Sequence, residues 1–283
     1  MAIAARRSLF PLYAGVVLIC AVMIFPFLWG VVLSFKDNAG IFTAPASFPA
    51  TWDVAKYAAT FVQAHILVLF RNSLVVSVIT TVGALFINLL SSFAIARLGS
   101  AHPRMTAFFY YLFLTATAVP IFVLLFPIYQ ISVALKPLGM GVDSIFTLPW
   151  PYIAGSIPFG TLVFVGGMRS IPREMEEAAL MDGAGLPRLL LQVDLPLIMP
   201  VFTTLTIFNF LGAWNEFTLA SILLDSNAHF TIPLATAFFK EEFSMDYGAV
   251  LRAVIIILVP QLIFFYVFQR RIIEGMTMTG LKG

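Results

Sequence analysis

Charge is what this chain has least of. Asp, Glu, Lys and Arg make up 11% of its 283 residues, against 60% hydrophobic residues and 29 Phe. So little polar surface cannot clothe a water-soluble globule of this length, which excludes a soluble enzyme or binding domain. Cysteine is reduced to Cys20, so there is no intrachain disulfide and no information about redox compartment. The three histidines, His65, His102 and His229, fall in three different loops, and no metal site follows from that spacing. Neither a Gly-x-Ser-x-Gly element nor a Gly-x4-Gly-Lys-Ser/Thr phosphate loop occurs. No catalytic residue, metal or cofactor of its own is therefore expected, and any nucleotide chemistry must happen on another chain. The net charge of +2 gives no ground for nucleic-acid binding.

What is present is long apolar runs. A membrane crossing takes about 20 mostly apolar residues, and six candidates stand out: Phe10 to Phe35, Asn72 to Ala96, Met105 to Leu135, Ile145 to Met168, Leu197 to Leu223, and Ala249 to Phe268. Inside them the charged residues are Glu216 and Arg252. The first run follows Arg6 and Arg7 as a signal peptide would, but it is too long for one and no clear small-residue cleavage site follows, so a retained anchor is expected. With the N-terminus inside, the inner segments hold Arg6, Arg7, Arg97, Arg104, Arg169, Arg173, Arg188, Arg270, Arg271 and Lys282; the outer ones hold Lys36, Lys56, Arg71, Lys136 and Lys240. Basic residues are retained preferentially on the cytoplasmic side, so both termini are predicted to be cytoplasmic. The expected fold is all-α: a single polytopic membrane domain, 1–283, with six transmembrane helices, outer loops 36–71 and 224–248, an inner loop 169–196 and a cytoplasmic tail 269–283.

The inner loop is the most polar part. Ser170 and Pro172 supply N-cap and first-turn chemistry, and Glu174, Glu176 and Glu177 suit the positive end of a helix dipole. The helix should run through Ala178, Ala179, Leu180 and Met181 and stop at Asp182-Gly183, where glycine takes a left-handed conformation. Pro187 can open a second short helix, Arg188 to Val193, with Asp194 and Pro196 marking the approach to the fifth span. Met175, Ala178 and Ala179 share one face, and Gly183 leaves room beside it. Such a knob either inserts into a cleft on another protein or lies as an amphipathic helix under its own bundle.

The residues of this loop resemble a known signature. Importer-type ATP-binding-cassette permeases carry Glu-Ala-Ala, three residues, Gly, nine residues, Ile, one residue, Leu-Pro; here stand Glu177-Ala178-Ala179, Gly183, Val193 and Leu195-Pro196, with Val for Ile as the departure. "NFLGAWNEFTLA", from Asn209 to Ala220, and the ending "QRRIIEGMTMTGLKG" are similar to the sugar-permease branch, of the maltose type. The resemblance implies the type I importer permease fold in a bacterial inner membrane. It implies a coupling helix docked on a cytoplasmic ATPase through Glu177, Ala178, Ala179, Asp182, Gly183, Leu195 and Pro196. Further partners it implies are a second homologous permease, two ATPase subunits carrying ATP and Mg, an extracytoplasmic solute-binding protein and membrane lipid. It also implies a tail reaching the ATPases through Gly275, Gly280 and Lys282, where the two glycines are expected to break the last helix. Cargo would be a sugar or oligosaccharide. Glycerol-phosphate is the alternative cargo, and a self-contained secondary transporter is the alternative class.

For a passage, the fifth span offers Asn209, Gly212, Ala213 and Glu216 at i, i+3, i+4, i+7, a polar and small stripe joined by Trp214 and Asn215. An ionisable residue in a span usually faces a bundle interior or watery cavity, and Arg252 is the expected ion partner of Glu216, unless it snorkels to the headgroups. Asn88, Ser91, Ser92 and Gln130 suit interhelical hydrogen bonds. Pro120 and Pro127, then Pro149, Pro151 and Pro158 with Gly155 and Gly160, predict kinked or broken third and fourth spans. In the outer loops, Phe42, Trp52 and Tyr57, and later Phe230, Phe238, Phe239, Lys240, Glu241 and Glu242, leave a docking surface and a lipid-touching element as open readings.

Overall fold

The computed structural model describes residues 2–99, 101–239 and 245–280. It is 79% helical, with no strand among the described residues, as the all-α expectation requires. In chain order the helices are α1 (Ala2–Ser34), α2 (Asn38–Thr43), α3 (Ala55–Gln63), α4 (Ile66–Phe93), α5 (Pro103–Ala116), α6 (Ile121–Ala134), α7 (Pro149–Arg169), α8 (Arg173–Met181), α9 (Leu186–Arg188), α10 (Leu195–Leu197), α11 (Met199–Asn215), α12 (Thr218–Leu223) and α13 (Tyr247–Gly280). Two π-helical segments, Ala94–Leu98 and Leu189–Asp194, continue α4 and α9.

Among the described residues, three helical runs are long and apolar enough to cross a bilayer uninterrupted, Pro11–Ser34, Ile66–Leu98 and Ile145–Arg169. The third and fifth expected spans are not single helices. α5 and α6 meet at 104°, and the run Leu186–Leu197 meets α11 at 82°; counted as one span each, they bring the total to five. The apolar part of α13, Tyr247–Ile263, is shorter than these and lies where the sixth was placed. Proline chemistry accounts for both bends. Pro120 has no N–H to give and pushes Val119 out of the α region, so α5 ends with Thr117 as its C-cap and α6 restarts at Ile121. At the second bend Pro200 stands in the first turn of α11, where its missing N–H suits a new helix start after Ile198 and supplies no hydrogen bond back across the joint. The fourth span differs from the third in that α7 continues as one helix through Pro158, so of the two readings, kinked or broken, the break does not occur there.

The chain divides into two units. One comprises the residues up to Ile66 with Ala235–Gln261. Its α1 is apolar all round and none of its apolar window is buried; a helix that exposes Leu12, Val17, Phe25 and Phe27 on every side has lipid or another chain as its solvent. The end of α1 is tied down by side chains. Tyr57 and Ser34 hydroxyls lie 2.5 Å apart, Phe35 packs on Trp52 and Tyr57, and buried Lys36 donates to the Ala44 carbonyl at 2.7 Å.

The other unit comprises Leu67–Leu234 and the remainder of α13. One core cluster gathers Leu85, Leu89, Phe93, Phe164, Met168, Ile171, Leu189, Leu190, Ile198 and Leu205, so that α4, α7, the loop carrying α8 to α10 and the start of α11 share one apolar centre. A second gathers Val76, Ile128, Leu148, Leu219, Leu223 and Leu234, joining the first half of α4 to α6, the entry to α7 and α12. Between α7 and α4, Thr161 donates to Asn88 at 3.2 Å, an interhelical bond of the expected kind. Gly160 makes it possible, because a Cβ there would collide with the Asn88 side chain. Ser91 and Ser92 instead donate to carbonyls of their own helix.

Candidate functional site

The inner loop folds as a short helix, a tight turn and a second helical piece. The start differs from expectation: Ser170 donates to the Gly167 carbonyl at 2.7 Å, and Pro172 occupies the N-cap without a side-chain bond. The stop follows it closely. Asp182 caps α8, Gly183 sits at φ 81, its N–H bonds the Leu180 carbonyl and the Ala184 N–H bonds the Ala179 carbonyl, both at 3.0 Å. That pair of bonds is the Schellman closure, which needs a left-handed residue at Gly183. The expected second helix, Arg188 to Val193, begins earlier at Leu186 and turns π-helical from Leu189 to Asp194.

α8 has two different faces. Glu174, Met175, Glu177, Ala178, Met181, Asp182 and Gly183 are exposed, Met181 by 87%. Ala179 is partly buried against the core, and Glu176 is 8% exposed. Leu195 is partly buried against the same core while Pro196 is exposed. The knob thus presents a carboxylate, small residues and a glycine outward and rests on an apolar centre inward.

Beneath α8 lies a charge cluster that sequence reasoning missed. Arg97, in the π-helical end of α4, forms an ion pair with Glu176, donates to the Met168 carbonyl at 2.5 Å, and approaches Asp194 to 3.8 Å. Asp194 is fully buried, and when it is ionised no donor lies within hydrogen-bond reach of either oxygen. Burial first, then repulsion from Glu176, outweigh the attraction of Arg97 and push the Asp194 carboxyl up to about 6. Two carboxylates thus share one guanidinium. A sequence reading sees only a basic residue at the end of an apolar run, a helix-starting Glu and an Asp before Leu-Pro.

The fifth-span candidates are dispersed by a break. Asn209, Gly212, Trp214 and Asn215 lie on α11, but the helix ends at Asn215 and Glu216 is extended, at ψ 121. The Glu216 carboxylate accepts the backbone N–H groups of Leu219 and Ala220, at 2.8 and 3.1 Å, and the Tyr152 hydroxyl at 2.5 Å. Its charge therefore starts α12 and holds α7 rather than continuing a stripe. Arg252, the expected ion partner of Glu216, is itself buried, donates to Thr60 and to the Ser34 carbonyl at 2.9 Å each, and lies 3.7 Å from Asp246. Trp214 is buried against Phe70 and Phe210, Gly212 is open, and Asn209 is half-buried with its amide nitrogen unpartnered among the described groups.

Elsewhere, the helix α13 runs through Gly275 to Gly280, which corrects the expectation that Gly275 breaks it; Lys282 lies outside the described residues. In the second outer loop a bracket forms. Asp143, at φ 60, accepts the Ser226 N–H and hydroxyl at 2.8 Å each, the Asp225 N–H at 3.1 Å, and faces His229 at 3.3 Å. Burial raises its pKa, but these hydrogen bonds together hold it at about 2. Ile232–Phe239 is a 3-10 helix, while Lys240, Glu241 and Glu242 lie outside the described residues.

Comparison with known proteins gives the family of the chain. Residues 95–277 match the family described as binding-protein-dependent transport system inner membrane component, a stretch that includes α8, Gly183, Leu195-Pro196 and the α11 break. The chain belongs to that family. Among its relatives, the diacetylchitobiose uptake system permease NgcG of Streptomyces coelicolor is 31% identical over 92% of this chain and 84% of its own length. The sulfoquinovosyl glycerol transport system permease SmoH of Agrobacterium fabrum is 31% identical over 92% and 89%, and the trehalose/maltose permease MalG of Thermococcus litoralis 26% over 96% of each. A bacterial ABC transporter involved in alginate import has the same fold, with a TM-score of 0.72 and 20% identity over 93% of this chain and 96% of that one. As an inner membrane component of this family, the chain is a multi-pass permease subunit, and a self-contained secondary transporter is set aside.

Proposed function

We propose that this permease subunit carries a sugar or oligosaccharide inward as part of an ATP-driven importer, with both termini in the cytoplasm. Its partners would be a second homologous permease, two ATPase subunits binding ATP and Mg, and an extracytoplasmic solute-binding protein. The relatives named for diacetylchitobiose, sulfoquinovosyl glycerol and trehalose/maltose support the cargo class. An anionic cargo such as glycerol-phosphate draws less support, because Arg252 already faces Asp246.

The observation that carries the mechanism is the two-faced α8. Its outer face, Glu177, Ala178 and Met181 with Asp182 and Gly183, is exposed, while its inner face rests on the core shared by α4, α7 and α11. An ATPase groove with a basic group would receive Glu177 and come close at Gly183; closure of the ATPase pair would then press on α8 and move the helices behind it. Leu195 and Pro196 hold the loop at the base of α11, and Gly275, Gly280 and Lys282 are the tail positions proposed to meet the ATPases. On the passage, Asn209, Gly212 and Asn215 are the proposed lining, with Trp214 and Glu216 shaping the break behind it.

Vesicles containing the complete complex, with the solute-binding protein outside and ATP inside, test this reading using trehalose, maltose and diacetylchitobiose as probes. The expected result is accumulation of at least one of these that requires ATP, the binding protein and the ATPase subunits together. Accumulation by this chain alone would refute it.

A further inference from the structure

Force received on the outer face of α8 has to leave through its inner face. Two kinds of contact are available there. Apolar ones, such as Ala179 against the core, can slide, since the hydrophobic effect is non-directional. The other is the Arg97 fork, whose geometry is fixed. One guanidinium touches four pieces of the chain: the π-helical end of α4 that carries it, the end of α7 through the Met168 carbonyl, α8 through Glu176, and the segment before α10 through Asp194. Its side chain and that of Glu176 are each 11% exposed, and that of Asp194 is wholly buried.

Stability alone does not account for three buried charges. Taking them out of water costs about as much as their attraction returns, so an apolar replacement of like volume often serves as well. What such clusters do give is a fixed register between elements. Both segments bearing Arg97 and Asp194 are π-helical, a rare geometry that recurs at functional positions.

We infer that Arg97, Glu176 and Asp194 form a latch that locks α8 to the end of α4, with Arg97 as the positioning residue through which movement of the loop enters the membrane helices. This rests on the docking role proposed above for α8. The latch has a charge imbalance, two carboxylates to one guanidinium. Arg169, Arg173 and Glu177 line, together with Arg97 and Glu176, the groove of about 570 Å³ between α8, α5 and the end of α4. When Asp194 is protonated it can donate to Glu176, and the single remaining charge pair is matched; when it is ionised the two acids repel across Arg97. The latch is thus tighter at lower pH and loosens as pH rises through about 6.

Spin labels at Glu174→Cys on α8 and Leu90→Cys on α4, in a Cys20→Ser chain within the complete complex, report whether the two move as one body. The probes are ATP and orthovanadate, so no cargo is needed. With Arg97 present, the label distance is expected to stay within about 2 Å between the nucleotide-free and trapped states, whereas in Arg97→Gln it should shift or broaden by about 5 Å, roughly a helical turn; Arg97→Lys should fall between. An Arg97→Gln complex that traps vanadate and keeps the wild-type distance overturns the latch. Should Arg97→Gln fail to assemble, near-isosteric Asp194→Asn decides. It is expected to give a narrow distribution at both about pH 5 and about pH 7.5, while wild type broadens at the higher value; a variant that tracks wild type at both overturns the inference. Docking is scored separately by Glu177→Arg, which should release the ATPase. If Glu177→Arg keeps the ATPase bound, the docking reading fails; if only Arg97→Gln is silent, the latch fails and docking stands.

Discussion

Glu176 and Glu177, neighbours in sequence, face opposite ways on α8: Glu176 is 8% exposed and paired with Arg97, while Glu177 is exposed. Their substitutions should therefore differ in kind. Glu176→Ala leaves the Arg97 guanidinium with Asp194, 3.8 Å away, as its remaining carboxylate and should cost about 1–3 kcal/mol. Glu177→Ala removes no internal contact and should change stability by less than about 0.5 kcal/mol. Thermal unfolding of the purified subunit in detergent reads the difference; equal shifts would show that the faces are assigned wrongly.

Gly183 is the second test. At φ 81 a β-branched residue pays the left-handed penalty, so Gly183→Val should lower stability by about 1–2 kcal/mol, with Gly183→Asn costing less. The same thermal measurement serves, and a neutral Gly183→Val would mean the turn can close another way.

Between α4 and α7, Gly160→Ala should drive a methyl into the Asn88 side chain, which also accepts from Thr161. Overpacking of this kind costs about 1–3 kcal/mol. Asn88→Ala on top of Gly160→Ala should recover part of it, and a melting temperature that is no better in the double variant would contradict the packing described.

Asp143 gives a prediction in pH. Its carboxyl is held at about 2 in the folded chain, below its ordinary 3.8, so its contribution is fully present above about pH 4 and is lost as pH falls towards 2. Protection factors for hydrogen exchange at Asp225 and Ser226, taken against the intrinsic rate at each pH, should hold down to about pH 4 and fall below it. In Asp143→Ala that protection should already be missing at neutral pH. Protection of the two amides in that variant would show that the bracket is not what holds the loop.

Much of this molecule is legible in its sequence because lipid leaves few alternatives: apolar length alone placed α1, α4 and α7, and the α8 to Gly183 stop follows from helix and glycine chemistry. The breaks were harder. Pro120 announced a broken third span, but the break at Glu216 depends on a carboxylate capping α12 and on Tyr152, a residue 64 positions away, which no local pattern contains. Glu216 and Arg252 likewise take partners set by tertiary structure, Tyr152 for the one and Thr60 and Ser34 for the other. Arg97, Glu176 and Asp194 are ordinary in isolation, and only folding brings them together.

The central claim is that the outer face of α8 is where an ATPase subunit sits, and Met181, 87% exposed, offers the most direct probe of it. A photo-crosslinking amino acid at Met181 in the complete complex should yield a product containing this chain and an ATPase subunit, enriched when ATP and vanadate trap the closed state. Crosslinks confined to lipid or to this chain itself, from a complex that still hydrolyses ATP, would contradict the account.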